Sequence, residues 1–404
     1  MLALEGIKIL DLCRWLFPGS NTTWILGDLG ADVIDIQMPP VVRRQGAEAG
    51  QPIPGEEDRR TPHHTANRNK KSIWLNLKSE EGRNIFYQLA READVILEGF
   101  RPGVAKRLGI DYETIAKINP RIIYCSLSGY GKDGPYRDLA GHDVDYLAIS
   151  GALNIIGEPG GPPVIPPNLI ADWAGGTLYA VIGILTALVA RNKTGKGQQV
   201  DIAYTDGVIS MMATMADRYF QTGVVPGRGA GAVRNYPGSG MYETKDGKYI
   251  TFSSSGSPFW ENLCRALGKE EFISIPRVRG RLPTQEEAKR LEEVTTSLKQ
   301  LFLTKTRDEW FELLSPKNIC VGKVLALDEV FTEPQVLHRQ MVIELDHPTE
   351  GKVKQVGIAI KLSDTPGKVR SLPPVQGENT EEILLGLGYS KPRMNELRQE
   401  GVIG

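Results

Sequence analysis

Short apolar runs rich in β-branched residues alternate with helical patterns through the first 130 residues of this chain. The runs occupy residues 7–12, 32–37, 72–77, 94–99 and 122–128. Parallel strands need a crossover of about a dozen residues or more, usually a helix. The alternation therefore predicts right-handed βαβ units and a mostly parallel sheet covered by helices, which is the α/β class.

Two segments rich in glycine interrupt this pattern. Residues 131–167 also contain many prolines and are predicted to be loop over the sheet. Residues 225–240 read VPGRGAGAVRNYPGSG and are predicted to be a linker. The GRGAG within that linker does not lie between a strand and a helix, so we do not interpret it as a phosphate loop.

The residues beyond the linker predict a smaller, mixed domain. Residues 241–254, MYETKDGKYITFSS, predict a hairpin that turns at the Asp-Gly pair. Two T-x-x-E capping boxes then predict helices that begin after Thr284 and Thr306. The expected division is a large domain over residues 1–224, a small α+β domain over 225–330, and a C-terminal segment over 331–404 that returns to the large domain.

Charge and hydropathy exclude several classes of partner. The chain has 404 residues with 48 Lys and Arg against 49 Asp and Glu, so no overall field attracts nucleic acid or an anionic membrane. The longest apolar stretch, residues 175–190, is shorter than the roughly 20 residues that span a bilayer and is predicted to be a buried core helix. With no visible export signal and four dispersed cysteines, we expect a cytoplasmic protein.

An aspartate ahead of two glycines is the strongest candidate for catalysis. Asp172 stands in NLIADWAGG at a predicted helix start. As a capping or first-turn charge, it would stabilise the helix N-terminus. As a nucleophile or base in an apolar pocket, it could attack a thioester or remove the proton next to the thioester carbonyl. Gly175 and Gly176 would then let the substrate approach the backbone. The residues alone leave both roles open.

A second polar cluster lies earlier, in AGHDVDYLAISG. His142 is either a hydrogen-bonded loop histidine or an acid/base group. Asp143 and Asp145 are predicted to be helix caps or ion-pair partners. The pair His63-His64 has no partner at metal-ligand spacing, so we predict no metal site.

Basic residues flank two predicted strands. They are Arg68, Lys70, Lys71, Arg101, Lys106 and Arg107. Open α/β sheets bind ligands outside the carboxyl ends of their strands, and Arg and Lys suit phosphate groups. The sequence thus suggests a phosphate-bearing ligand, with a solvated charged face as the alternative for each residue.

Taken together, these segments resemble the family III CoA-transferases, which include formyl-CoA transferase and the α-methylacyl-CoA racemases. The resemblance extends over nearly the whole chain, in the ordered motifs LEGIKILDL, GDLGADVI, NKKSIWLNLKSEEGR, FRPGVAKRLGIDY, NPRIIYCSLSGYGKDGPY, GHDVDYLAISG, TGKGQQVDIAYTDG and GENTEEILLGLGYS. It implies a large domain with a Rossmann-like parallel sheet formed from both chain ends and a smaller middle domain. It also implies two interlocked subunits, either a homodimer or a heterodimer of related chains.

The resemblance also implies roles for individual residues. Asp172 falls on the family's catalytic aspartate, which would take the acyl group as an anhydride and then carry CoA as an aspartyl thioester. Matching positions imply that Lys71, Arg101 and Arg107 hold CoA phosphates and that Phe100 lies near the adenine. The substrates would be an acyl-CoA and a carboxylic acid, with no permanently bound cofactor and no metal.

Two branches of the family share this aspartate. His142 resembles the racemase branch, in which it and the aspartate would exchange the α-proton from opposite faces. The racemases' glutamate falls at about Gly256 here, so the histidine would lack its usual partner. We therefore expect a CoA-transferase. An acyl-CoA racemase or epimerase is the alternative, and one subunit of a heteromeric transferase is a further alternative.

Departures from the transferase pattern bear on the acyl group. Gln37 stands where the family has a glutamate that closes the second strand, and Leu16 stands roughly where formyl-CoA transferase has a catalytic glutamine. Trp15 and Phe17 make the surrounding loop apolar. We expect a hydrophobic or aromatic acyl group in place of formate or oxalate.

Overall fold

The described residues form two compact units. The structure, a computed structural model, describes residues 1–13, 17–40, 42, 65–228, 236–256, 258–275, 278 and 283–404. Unit 1 comprises Met1–Leu153, Ile165–Thr214 and Pro334–Gly404, and unit 2 comprises Asn154–Val164 and Met215–Glu333.

Unit 1 is built on a six-stranded sheet in which all pairs are parallel. Its strands are β1 (Lys8–Asp11), β2 (Asp32–Gln37), β3 (Lys70–Trp74), β4 (Val95–Glu98), β5 (Ile123–Ser128) and β6 (Gln198–Ala203). Their order is β3-β2-β1-β4-β5-β6, so the winding direction reverses between β1 and β4. This is a Rossmann-like arrangement, and the predicted α/β class is confirmed.

Helices flank the sheet. In chain order the described α-helices are α1 (Phe17–Asp28), α2 (Glu80–Glu92), α3 (Val104–Leu108), α4 (Tyr112–Ile118), α5 (Asp143–Ile149), α6 (Ala152–Ile155), α7 (Tyr179–Thr194), α8 (Tyr204–Met211), α9 (Ala213–Thr222), α10 (Phe259–Ala266), α11 (Gln285–Phe302), α12 (Arg307–Leu314), α13 (Leu327–Val330), α14 (Pro334–His338), α15 (Thr380–Gly386) and α16 (Lys391–Gln399). A π-helix, Leu169–Leu178, runs directly into α7. Short 3₁₀ turns cover Thr65–Asn67, Glu270–Phe272 and Ser315–Lys317.

Two apolar cores lie on opposite faces of the sheet. Successive strand residues point to opposite faces, and neighbours along a strand accordingly enter different cores: Ile9 packs in one and Leu10 in the other. Both side chains are at most 2% exposed. Burial on both faces explains why the predicted strands read as continuous apolar runs.

Local sequence signals explain the ends of several elements. Ser79 caps α2 as its position predicts, since its hydroxyl accepts the Gly82 amide at 3.1 Å. Strand β3 begins two residues earlier than predicted, because Lys70 is buried within it and pairs with Asp11 at 3.3 Å. An apolar pattern cannot anticipate a buried lysine that a distant carboxylate neutralises.

The C-terminal part of the chain completes unit 1 with helices. We expected both chain ends to form the sheet, but the six strands all lie within Lys8–Ala203. Leu384 of α15 and Leu397 of α16 are fully buried in the core that contains Leu10. The amide of Asn76 also donates to the Val402 carbonyl at 2.8 Å. The helices of this segment therefore close the core. Its described strands, β10 (Val342–His347) and β11 (Gly351–Val356), form a separate antiparallel pair.

The predicted core helix is longer and less buried than expected. It runs without a break over Leu169–Thr194, 26 residues, and its most apolar 18-residue stretch has a mean hydropathy of 1.7 and is 44% buried. By length and composition alone it could cross a membrane, a test that the core helix of a soluble protein also passes. Ile184 on its inner face is 0% exposed, whereas Ile182 and Val189 are each 57% exposed.

Unit 2 contains the predicted smaller α+β elements. Strands β7 (Ser239–Glu243) and β8 (Tyr249–Ser253) form the predicted hairpin, and β9 (Val321–Val324) pairs with β8. Both predicted capping boxes are present, at the start of α11 and of α12. Trp260 and Phe302 lie in its apolar core at no more than 1% exposure.

Candidate active site

The direction of α7 brings Asp172 to the edge of the sheet where the strands end, here called the carboxyl edge. Helix α7 ends at Thr194, just before β6, which runs parallel to β5. In its last turn Arg191 pairs at 2.8 Å with Asp94, the residue directly before β4. The C-terminus of α7 thus lies at the amino edge, and the π-helix that carries Asp172 lies at the carboxyl edge, where ligands bind in open α/β sheets.

Asp172 sits in the first turns of the π-helix. Wide i→i+5 turns are rare and frequently occur at functional sites. The two glycines that follow serve packing: a Cβ on Gly175 would come within 2.9 Å of the Tyr204 carbonyl oxygen, and one on Gly176 within 2.7 Å of the Tyr204 ring. The expectation that these glycines admit substrate is therefore wrong, because α8 occupies that space.

Asp143 fixes the backbone at Asp172. Its buried carboxylate accepts the amides of Ala171 and Asp172 at 3.0 and 2.9 Å. Asp145 accepts the amide of His142 at 2.9 Å. The prediction that both aspartates act as caps is confirmed, although Asp143 caps the π-helix from a different element.

Opposing effects set the pKa of Asp172. Burial raises its pKa to about 6 and the Asp143 carboxylate adds to the rise, while a hydrogen bond from the Asn168 side chain and the nearby His142 lower it. At neutral pH the group remains about 90% ionised, yet it is more basic than an ordinary aspartate. It is thus a carboxylate suited to act as a nucleophile or a base.

His142 lies near enough to Asp172 to favour its charged form. It stands at the N-cap position of α5, and its side chain is exposed. The structure therefore brings together the two predicted catalytic residues. Gly256 belongs to unit 2, where a Cβ would meet no atom within 4 Å.

Phe100 and Arg101 follow the carboxyl end of β4, as predicted. The Phe100 amide donates to the buried Glu98 carboxylate at 2.7 Å, and Arg101 lies close enough to lower the pKa of Tyr146 on α5. Arg107 is in the last turn of α3. The guanidinium groups of Arg101 and Arg107 are both exposed, and neither has a carboxylate partner within the described residues.

Lys71 lies apart from these residues. In the register of the sheet, Lys71 lies level with Ile34 of β2 and, across β1, with Ile96 of β4. Arg101 lies five residues beyond Ile96 along the chain. Lys71 also lies three strands away from β4, on the edge strand. Lys71 is thus separated from Arg101 by about 15 Å along the strands and by about 15 Å across the sheet. Its ammonium pairs with Glu382 at 2.5 Å.

Two other members of the predicted basic cluster have structural roles. Arg68 is fully buried and donates two hydrogen bonds to Asp28, at 2.9 and 2.6 Å. Lys70 is equally inaccessible to a ligand, because it is buried against Asp11. Neither can hold a phosphate without losing an interior ion pair.

The sequence analysis did not group three tyrosine rings that lie near Asp172. The Tyr130, Tyr146 and Tyr204 rings follow one another, with centroids 5.3 and 5.1 Å apart. Burial, reinforced by the Asp172 charge, raises the pKa of Tyr146 well above its ordinary value. These residues come from three separate segments, so no spacing along the chain could have grouped them.

Some predicted features lie outside the described residues. They are Trp15, Leu16, the Phe17 side chain, His63, His64 and most of the GRGAG segment. Within the described ranges, no group of three or more His, Cys, Asp or Glu side chains is placed to hold a metal ion.

Comparison with known proteins shows the family to which this chain belongs. Residues 4–380 match the family model described as CoA-transferase family III. Succinyl-CoA:glutarate CoA-transferase of Homo sapiens is 34% identical over 99% of this chain and 90% of its own length. Formyl-CoA:oxalate CoA-transferase of Bradyrhizobium diazoefficiens is 33% identical over 99% of this chain and 97% of its own length.

A solved structure shares the fold. The CaiB/BaiF family protein from Brucella suis superposes with a TM-score of 0.78 at 30% identity, covering 96% of this chain and 99% of that chain. The resemblance inferred from the ordered motifs is thereby confirmed. This chain is an enzyme that belongs to CoA-transferase family III.

Proposed function

We propose that this enzyme moves CoA from an acyl-CoA donor to a carboxylic acid by covalent catalysis at Asp172. The observation that supports this most strongly is the half-buried carboxylate at the carboxyl edge, with its pKa raised to about 6. Partial burial removes some of the hydration that makes an exposed aspartate a weak nucleophile. The group nevertheless stays ionised at neutral pH, as the attack requires.

The proposed reaction consists of four acyl or CoA transfers. Asp172 attacks the donor thioester, and the C–S bond breaks to give an acyl-aspartyl anhydride and CoA thiolate. The thiolate attacks the aspartyl carbonyl, which releases the donor acid and leaves an aspartyl-CoA thioester. The acceptor carboxylate then attacks this thioester, forming a second anhydride and free thiolate. Attack of that thiolate on the acceptor carbonyl forms the new acyl-CoA and frees Asp172.

Exposed cations beside the carboxyl edge support a site for CoA. Arg101 and Arg107 would hold its phosphates, and Phe100 would lie against the adenine. Lys71 was assigned the same role by resemblance. To take it up, its ammonium would have to leave Glu382.

The acyl group is proposed from the apolar Trp15-Leu16-Phe17 segment, which favours a hydrophobic or aromatic acid. The names of the relatives point the other way, toward small dicarboxylic acids. A screen of acyl-CoA donors against both kinds of acid, read by mass spectrometry of the new thioester, decides between them. Transfer to dicarboxylates alone would contradict the proposed hydrophobic or aromatic acyl group.

The covalent role of Asp172 can be tested by trapping. With acyl-CoA and no acceptor, hydroxylamine should inactivate the enzyme and convert Asp172 to a hydroxamate, seen in the mass of its peptide. Asp172→Ala should show neither activity nor the modified peptide. Full turnover by that variant, or failure to trap the wild-type enzyme, would refute the proposal.

The proximity of His142 and Asp172 supports epimerisation as a second candidate function. An acid/base pair of this kind would exchange the α-proton of a bound acyl-CoA. Incubation in heavy water without an acceptor acid separates the two reactions. Deuterium at the α-position would favour the racemase, whereas its absence during active CoA transfer would exclude it.

We also propose that the enzyme works as a dimer. The outer face of the continuous helix Leu169–Thr194 exposes Leu178, Ile182 and Val189 at 45%, 57% and 57%. An apolar stripe on one helix face is usually covered by a partner. A second copy, or a related subunit, would cover it. Light scattering on the chain expressed alone tests this, and Ile182→Lys should release monomers.

A further inference from the structure

One buried phenol near the proposed nucleophile has no hydrogen-bond partner. Tyr204 begins α8 directly after β6, and its side chain is 2% exposed. Its hydroxyl makes no hydrogen bond with any described residue. A hydroxyl removed from water without a partner costs about 1–3 kcal/mol. Such a group requires an explanation, and catalysis is one of the accepted ones.

The Tyr204 ring lies between the two elements that hold Asp172. On one side it packs against Tyr146 of α5, with ring centroids 5.1 Å apart. On the other side it lies against the π-helix at Gly176, where a Cβ would come within 2.7 Å of ring atoms Cδ1 and Cε1. Asp143 of α5 joins these same elements through the Asp172 amide. The ring is therefore held between the two elements that position Asp172.

The Tyr204 hydroxyl is a donor that remains protonated and uncommitted. Burial raises the pKa of its phenol well above the ordinary value, with further contributions from Cys13 and Asp172. By contrast, the neighbouring Tyr146 hydroxyl already donates to the Gly141 carbonyl oxygen. Of these two phenols in contact, Tyr204 is thus the one free to donate.

We infer that Tyr204 is a catalytic hydrogen-bond donor whose hydroxyl binds the Asp172 side-chain oxygen that becomes an oxyanion. This oxygen gains charge when thiolate or acceptor carboxylate attacks the aspartyl carbonyl, and it loses that charge when the C–O or C–S bond breaks. No proton is transferred to or from Tyr204. The free carboxylate keeps the Asn168 side chain as its hydrogen-bond partner, so Tyr204 acts mainly on the charged intermediate. The inference rests on the proposed covalent role of Asp172.

Tyr204→Phe tests the role, because it removes the hydroxyl and keeps the ring. We expect kcat to fall about 10²–10³-fold, the effect of losing one oxyanion donor, with an unchanged KM for acyl-CoA. Single-turnover decay of the aspartyl-CoA thioester on addition of acceptor should slow by the same factor. The Tm should stay the same or rise, since the lost hydroxyl had no partner.

Tyr242→Phe is the matched control. Tyr242 is another buried tyrosine, in unit 2, but its hydroxyl donates to the Pro237 carbonyl oxygen at 2.6 Å. We expect the reverse pattern, with a lower Tm and an unchanged kcat.

Two outcomes would overturn the inference. Wild-type kcat in Tyr204→Phe would remove its catalytic role, and a lower Tm would show that the hydroxyl has a stabilising partner. The Asp172→Ala variant shows whether only the role of Tyr204 is wrong or the proposed covalent function as well. If Asp172→Ala is inactive while Tyr204→Phe is fully active, only the role of Tyr204 is lost; if Asp172→Ala is active, the covalent mechanism itself is wrong.

Discussion

The buried carboxylate of Asp143 accepts the backbone amide of Asp172 at 2.9 Å and at the same time repels the Asp172 side chain. Asp143 thus fixes the backbone of Asp172 and at the same time destabilises the negative charge on the Asp172 side chain. It raises the pKa of Asp172 more than either the nearby His142 or the Asn168 hydrogen bond lowers it. Asp172 is therefore held in place and remains more basic than an exposed aspartate.

Replacing Asp172 by asparagine should stabilise the protein while abolishing its activity. The folded pKa of about 6 lies above the 3.8 of an unperturbed aspartate, so ionisation destabilises the folded state above pH 6, and this penalty disappears as the pH falls toward 4. We expect Asp172→Asn to be more stable by about 1 kcal/mol at pH 7.5, after allowing for solvent screening. The gain should vanish near pH 4. Thermal denaturation at both pH values checks this, and a loss of stability at pH 7.5 would contradict it.

The rate of CoA transfer should follow the ionisation of Asp172. Only the carboxylate attacks the thioester, so kcat/KM should fall about tenfold per pH unit below pH 6. Steady-state rates between pH 4.5 and 8 give this profile. An acid limb centred near 4 would show that the nucleophile is an unperturbed carboxylate.

Asp143 offers a way to separate its two effects. In Asp143→Asn the amide oxygen still accepts backbone hydrogen bonds but the repulsion is gone, so the acid limb of the rate profile should move to lower pH by up to about one unit. In Asp143→Ala two interior amides lose their acceptor, which should cost about 2 kcal/mol. Denaturant titration of both variants checks the second effect. Asp145→Ala, which removes the cap of only the His142 amide, is the control and should cost about 1 kcal/mol or less.

The proposed phosphate contacts predict a change in KM. Arg101→Gln and Arg107→Gln should each raise the KM for acyl-CoA about tenfold or more, because a charge-assisted hydrogen bond to phosphate is lost, and should change kcat little. Repeating the assay with a dephospho-CoA thioester identifies the arginine that meets the 3′-phosphate, since its effect should disappear. Lys71→Gln provides the comparison. A rise in KM equal to that of the arginines would show that Lys71 leaves Glu382 to bind CoA.

Features encoded locally were predictable. The runs predicted at 7–12, 32–37, 94–99 and 122–128 match strands of the parallel sheet to within one residue at either end, because an apolar run buried on both faces is visible without knowledge of its neighbours. The Ser79 cap and the boxes at Thr284 and Thr306 were equally visible, since each involves residues three apart. The proposal that Asp172 is the catalytic residue also rests on its motif context.

Contacts between distant segments were not predictable. The sequence interpretation placed Arg68 and Lys71 in one phosphate-binding cluster, but Arg68 is buried against Asp28, 40 residues away, and Lys71 faces Glu382, 311 residues away. The spacing of basic residues cannot show which of them a remote carboxylate neutralises. The glycines after Asp172 misled for the same reason, since the backbone and ring of the distant Tyr204 fill their space.

The burial of α15 and α16 in the sheet's own core bears on how the protein is made. The six strands and most of the helices around them are synthesised first, yet Leu384, Leu397 and Ile403 are each at most 2% exposed in the finished molecule. Until these residues have been translated, part of the apolar core on one face of the sheet remains uncovered. Unit 1 therefore cannot complete its folding on the ribosome from its N-terminal strands alone, and the nascent chain must keep an apolar sheet face from aggregating until its last segment arrives.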